Sequence, residues 1–190
     1  MGLYCVYFND QFGGRAALAG YVQTRFGVQL GMDWGGGLPV GEHVSDALDA
    51  ALGADDGQFV VCTPHIGSGG HWSVLMGGAQ QCLEVNYGDI VAQLSAASAG
   101  GHVLLACPLQ AGAWFEYHTG GALQRRWAGA AGVLHANMGV PLNSFDADFF
   151  GAYFDDDAHE DNDILIELAH SATGISLDDL RAPGALCPIF

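Results

Sequence analysis

Ala113-Trp114-Phe115-Glu116-Tyr117-His118-Thr119-Gly120-Gly121-Ala122-Leu123-Gln124-Arg125-Arg126-Trp127 is the stretch on which the fold turns. Trp114, Glu116 and His118 alternate with Phe115 and Tyr117, the two-residue period of a strand with unlike faces. Thr119-Gly120-Gly121 then breaks the run, and Ala122 to Trp127 resumes it. The stretch predicts a β-hairpin of Ala113 to His118 with Ala122 to Trp127.

Upstream, Leu3 to Phe8 is an apolar, aromatic run that reads as a buried strand. Arg15 to Phe26 has helical spacing through Ala17, Leu18, Tyr21, Val22 and Phe26, and Gly27 can end it. Residues 31–41 are too rich in glycine for regular structure, and Val44 to Leu52 reads as a short helix. Phe59 to Thr63 is a strand, and Trp72 to Met76 and Cys82 to Val85 are expected to form a hairpin. Asp89 to Ala97 reads as a helix and Val103 to Cys107 as a strand.

Downstream, residues 128–143 are small and glycine-rich, and no element is assigned to them. Ser144 is the expected N-cap of a helix carrying Phe145, Phe149, Phe150 and Tyr153. Asp155 to Asp163 is a polar interruption. Asp163 to Ala172 is a helix stopped at Thr173-Gly174, and Ser176 caps a short turn over Leu177 to Arg181. Strands clustered between helices predict an α+β fold, an antiparallel sheet of hairpins flanked by helices. Its 190 residues fit one compact domain, 1–190, or two small lobes meeting near 53–58, with an acidic helical C-terminal segment over 144–190.

Charge ranks the functions. The chain carries 21 acids against 5 Lys plus Arg, a net charge of -16, and all five of those bases are arginine. Residues 1–145 hold ten acids and four Arg; residues 146–190 hold eleven acids and one Arg. Such a field repels nucleic acid and anionic lipid and draws in basic partners. With half the residues hydrophobic, the chain can bury a core. Acidic composition without lysine also suits a salt-loving organism or a GC-rich genome. No apolar run approaches the ~18 residues of a membrane span. The N-terminus lacks the basic start of a signal peptide, so a cytoplasmic protein is expected. Five cysteines, at 5, 62, 82, 107 and 187, form no CxxC pair and read as reduced, buried thiols.

Four chemistries compete. Cys5, His71 and Asn86 stand in the chain order of papain-like cysteine hydrolases, and His71 opens a strand as theirs does. That chemistry wants its thiol at a helix N-terminus, whereas Cys5 lies within a strand, so an enzyme is not the expected reading. In the acidic run, Asp155, Asp157 and His159 fit the first ligand positions of a calcium loop. Glu160 stands where that loop needs glycine and Ile166 where it needs its bidentate acid, so neither a metal nor another cofactor is expected. Gly35-Gly36-Gly37 and Gly67-Ser68-Gly69-Gly70 match no phosphate-binding pattern, and without lysine there is no P-loop. The fourth is protein binding. Asp155, Asp156, Asp157, Glu160, Asp161 and Asp163 supply steering, and Tyr153 and Phe154 supply anchors. Aromatics at helical spacing also suit a core-facing helix.

The hairpin from Trp114 to Trp127, then Gly139-Val140-Pro141-Leu142 and Leu168 to Ile175, resembles small bacterial immunity-type proteins. The resemblance covers residues 100–180 and brings no catalytic residue. It implies an acidic, cytoplasmic, non-enzymatic protein that blocks a cognate toxin by binding it. The expected function is neutralisation of a basic antibacterial toxin domain by occlusion of its active site. The alternatives are the small cysteine hydrolase and an acidic adaptor.

Overall fold

The computed structural model describes residues 3–9, 20, 23, 60–62, 72–78, 92, 95–96, 102–109, 112–130, 133–148, 163–181 and 186–187. The fold is α+β. Among the described residues, eight strands form one sheet: β1 (Leu3–Asn9), β2 (Val60–Cys62), β3 (Trp72–Gly78), β4 (His102–Leu109), β5 (Gly112–Thr119), β6 (Ala122–Ala130), β7 (Val133–Gly139) and β8 (Leu186–Cys187). Their order is β7-β6-β5-β4-β1-β3-β2-β8, and each neighbouring pair is antiparallel. Helix α1 (Asp163–Thr173) packs against β4, and α2 (Leu177–Arg181) packs against α1.

The centre of the sheet is dry on both faces. Cys5, Val6 and Tyr7 are consecutive in β1 and fully buried, and so are Val74, Leu75 and Met76 in β3. Successive strand side chains point to opposite faces, so such a run needs cover on each side. This is why Leu3 to Phe8 reads as continuous apolar sequence without alternation.

The predicted hairpin forms as β5 and β6. Gly120 and Gly121 both have positive φ, 56° and 81°, the backbone of a two-residue turn that matches strand twist. The turn is also docked. Gly121 N–H donates to Ser95 Oγ at 3.1 Å, and a Cβ on Gly121 would stand 3.1 Å from Ala96 Cβ. Ala92, Ser95 and Ala96 are helical, as Asp89 to Ala97 predicts.

Three expectations are corrected and one unassigned stretch is filled. Residues 128–143, to which the sequence assigned no element, hold strand over 128–130, where β6 runs on to Ala130, and over 133–139 as β7, while 140–143 are irregular. Strand hydrogen bonds require no bulky side chains, so small residues continue the ladder while hiding its pattern. The cap of the helical turn at 144–148 is Asn143, one residue before Ser144. Asn143 Oδ1 accepts from Asp146 N–H at 3.0 Å, and the Asn143 carbonyl accepts from Ala147 N–H at 3.1 Å. The C-terminal segment is not wholly helical, because Leu186–Cys187 pairs with β2. Finally, β3 finds its partners in β1 and β2, so both edges of Val74–Met76 are taken. A hairpin partner has no place there; Cys82 to Val85 lie outside the described residues, as does Val44 to Leu52.

Two helix ends follow the sequence closely. Gly174 ends α1 with φ 77°, and its N–H donates to the His170 carbonyl at 2.8 Å. Ser176 and Asp179 cap α2 reciprocally: Asp179 N–H donates to Ser176 Oγ, and Ser176 N–H to Asp179 Oδ2 at 2.7 Å.

Candidate functional site: the β7 end of the sheet

Exposure is greater along β7 than along β5 and β6. The large hydrophobic residues that stand exposed among the described residues are Val133 (54%), Met138 (53%), Val140 (81%) and Phe145 (37%). All four lie on β7 or within the turn and helix start that follow it. Strand β7 has one neighbour among the described residues, β6, and no described residue pairs with the backbone groups of its other edge.

Register fixes the two faces here. Met138 lies opposite Arg126, which lies opposite Glu116. Asn137 lies opposite Trp127, which lies opposite Phe115. The first row is polar at depth and ends in exposed Met138; the second is the buried aromatic core, ending in exposed Asn137. Between Ala128 and Gly129 the register shifts by one residue, a bulge that kinks the start of β7.

A buried arginine holds this end together. Arg125 is 1% exposed and Asp146 2%. Arg125 Nε donates to both Asp146 carboxylate oxygens at 3.0–3.1 Å, and Nη2 donates to Oδ1 at 2.8 Å. Its Nη1 donates to Asn137 Oδ1 and to the Met138 carbonyl. Asp146 also accepts from Leu142 N–H at 2.7 Å. One guanidinium therefore ties β7 and the segment after it to β6. Asn143 Nδ2 donates to the Ser171 carbonyl at 2.8 Å, carrying the tie on to α1.

Gly139 makes the close approach possible. Its φ is 83°, and a Cβ there would run into the Gln124 carbonyl oxygen.

The opposite face carries a second buried ionic group. Glu116 is fully buried. It accepts from His118 Nε2 at 2.8 Å and from Arg126 at 2.6–2.7 Å, and Arg126 lies over the Trp114 ring at 5.3 Å. Burial alone pushes the Glu116 carboxyl up, but hydrogen bonds from His118 and Arg126, with their charges, outweigh it and hold it below its ordinary value. Glu116 thus fixes the His118 ring. His118 Nδ1 is buried with no hydrogen-bond partner among the described residues, so no hydroxyl or thiol described there stands ready to be activated by it. Burial also pushes the Tyr117 phenol up.

Of the residues singled out from sequence, Cys5 lies within β1, buried and opposite Met76 and Ala106. His71 and Asn86 lie outside the described residues. Asp163 begins α1. Tyr153, Phe154, Asp155, Asp156, Asp157, Glu160 and Asp161 lie outside the described residues. Among the described residues there is no group of three metal-ligating side chains, and no helix long and apolar enough to cross a membrane. Sequence reading missed β7. Val133-Leu134 after a glycine, and Gly139-Val140-Pro141 as a strand end, were the available signals, and the run of alanine and glycine masked them.

No family model matches this chain, and no curated protein or solved structure matches it either.

Proposed function

We propose that this is an acidic binding protein of the immunity type, which neutralises a basic toxin domain in the cytoplasm by covering its active cleft. The observation that carries the reading is the gathering of exposed apolar side chains at the β7 end of a chain whose net charge is -16. Apolar anchors give an interface its lifetime, and surrounding acids select and steer a basic partner. The buried Arg125–Asp146 pair supports the reading by keeping that end rigid, which lowers the entropy lost on binding. The acids from Asp155 to Asp163 add long-range attraction in this account.

The test is protection. The reading expects a basic protein to be encoded beside this one, and that protein is expressed in cells with and without it. The reading expects growth to be restored by the parent protein and lost again with Met138→Asp plus Val140→Asp. Equal growth with and without the protein contradicts it.

A further inference from the structure

We infer that the partner is held by strand addition: an extended, basic segment of the partner pairs with the outer edge of β7 as a further strand of the sheet. This rests on the binding reading above and names its mode.

Three observations lead here. First, β7 spans seven residues and has only β6 beside it among the described residues, so alternate backbone groups face outward. An exposed strand edge is a ready template for a further strand. Proteins usually guard such edges with lysine, proline or a bulge. This chain has no lysine, β7 itself holds no proline, with Pro141 falling beyond the strand, and the bulge kinks only the beginning of β7. From Ala136 to Gly139 the edge is regular.

Second, the side chains beside that edge are sorted. Met138 shares a face with Arg126 and Glu116, and Asn137 shares one with Trp127. An added strand would place alternate residues beside Met138, where apolar groups are favoured. The residues between them would fall beside Asn137, where polar or charged groups are tolerated. The segment that fits alternates apolar and basic residues.

Third, charge chooses between occupants. A second copy of this chain could offer the same edge, but it would bring another net charge of -16 against the first. Like charges oppose that association, and a basic strand is attracted by the same field.

The probe is a short peptide of alternating lysine and valine, with two controls: glutamate in place of lysine, and N-methylation of the backbone along one edge. The readout is amide hydrogen exchange, residue by residue, in the intact protein. At a peptide concentration ten times its Kd, the β7 amides that do not bond β6 should exchange roughly tenfold more slowly. The acidic peptide and the N-methylated peptide should each bind at least about tenfold more weakly, through lost attraction and lost ladder bonds respectively.

The inference is overturned if the peptide protects amides elsewhere and leaves β7 unchanged, or if N-methylation costs nothing. It is also overturned if sedimentation shows a dimer of the protein alone with the β7 amides already protected. If the peptide fails while the neighbouring basic protein still binds, strand addition falls and the binding reading stands. If neither binds, both fall.

Discussion

At the scale of single residues, two buried acids decide how this sheet is held. Asp146 neutralises Arg125 in a site that water does not reach. Removing one member of a buried pair leaves the other charged and unpaired, which costs about 3–5 kcal/mol. Asp146→Ala should therefore lower stability by that order in denaturant unfolding, with Asp146→Asn milder because its amide oxygen still accepts from Leu142 N–H. Glu116 gives a pH signature. Its carboxyl sits below its ordinary value of 4.5 in the folded protein. A depressed acid contributes stability that is complete above the unfolded value and is lost as pH falls through the folded value. The parent should thus lose stability more steeply than Glu116→Gln below about pH 4.5. Parallel slopes for the two proteins in acid would contradict the pairing. Neither ion pair was legible in the sequence. Arg125 and Arg126 read simply as a basic pair, and strand alternation sends them to opposite faces with different acids.

At the scale of elements, local chemistry was legible where a residue type has one physical use. Gly120-Gly121 announced the turn because two positive φ angles suit glycine, and Ser176 announced α2 because a hydroxyl with an acid three residues on satisfies two helix-end donors. Ser176→Ala should cost about 1 kcal/mol by thermal unfolding, the usual value of a lost cap. The elements that were missed are those defined by their partners. Strand β7 is built from small residues and exists because β6 presents a ladder; β8 is two residues long and exists because β2 does. Gly139 shows the dependence most sharply. Its glycine character reads as loop in sequence, yet it is what lets β7 approach Gln124. Gly139→Ala should destabilise by more than the roughly 1 kcal/mol of backbone strain alone, since the Cβ also meets a carbonyl. Gly174→Ala, with open space around its Cβ, should cost only the strain. Comparable losses for the two variants in the same unfolding experiment would contradict the packing described at Gly139.

At the scale of the whole molecule, the fold class was legible and the topology was not. Alternation and glycine turns give strands, and helical spacing gives helices, but the order of strands depends on long-range pairing that leaves no local trace. Thus β1 lies between β4 and β3, far from it in sequence. The candidate site was partly legible. The net charge of -16 is what the proposed reading of a basic partner rests on, while the exposed apolar residues of β7 became visible only once it was placed beside β6. Charge and edge should separate in kinetics. Exposed acids act mainly on association and are screened over a Debye length of about 8 Å at physiological ionic strength. Exposed apolar anchors act mainly on dissociation and are little affected by salt.

The most direct measurement is therefore surface-based binding kinetics against the basic protein that the proposed reading expects to be encoded beside this one, run across a salt series. Three proteins are compared: the parent; a variant with Asp155, Asp156, Asp157, Glu160, Asp161 and Asp163 changed to Asn or Gln; and Met138→Ala plus Val140→Ala. The account predicts that the neutralised variant associates more slowly at low salt and converges on the parent at high salt. It predicts that the Met138 and Val140 variant dissociates at least about tenfold faster at every salt concentration, consistent with truncated interface anchors. Both variants binding and releasing as the parent does would contradict it.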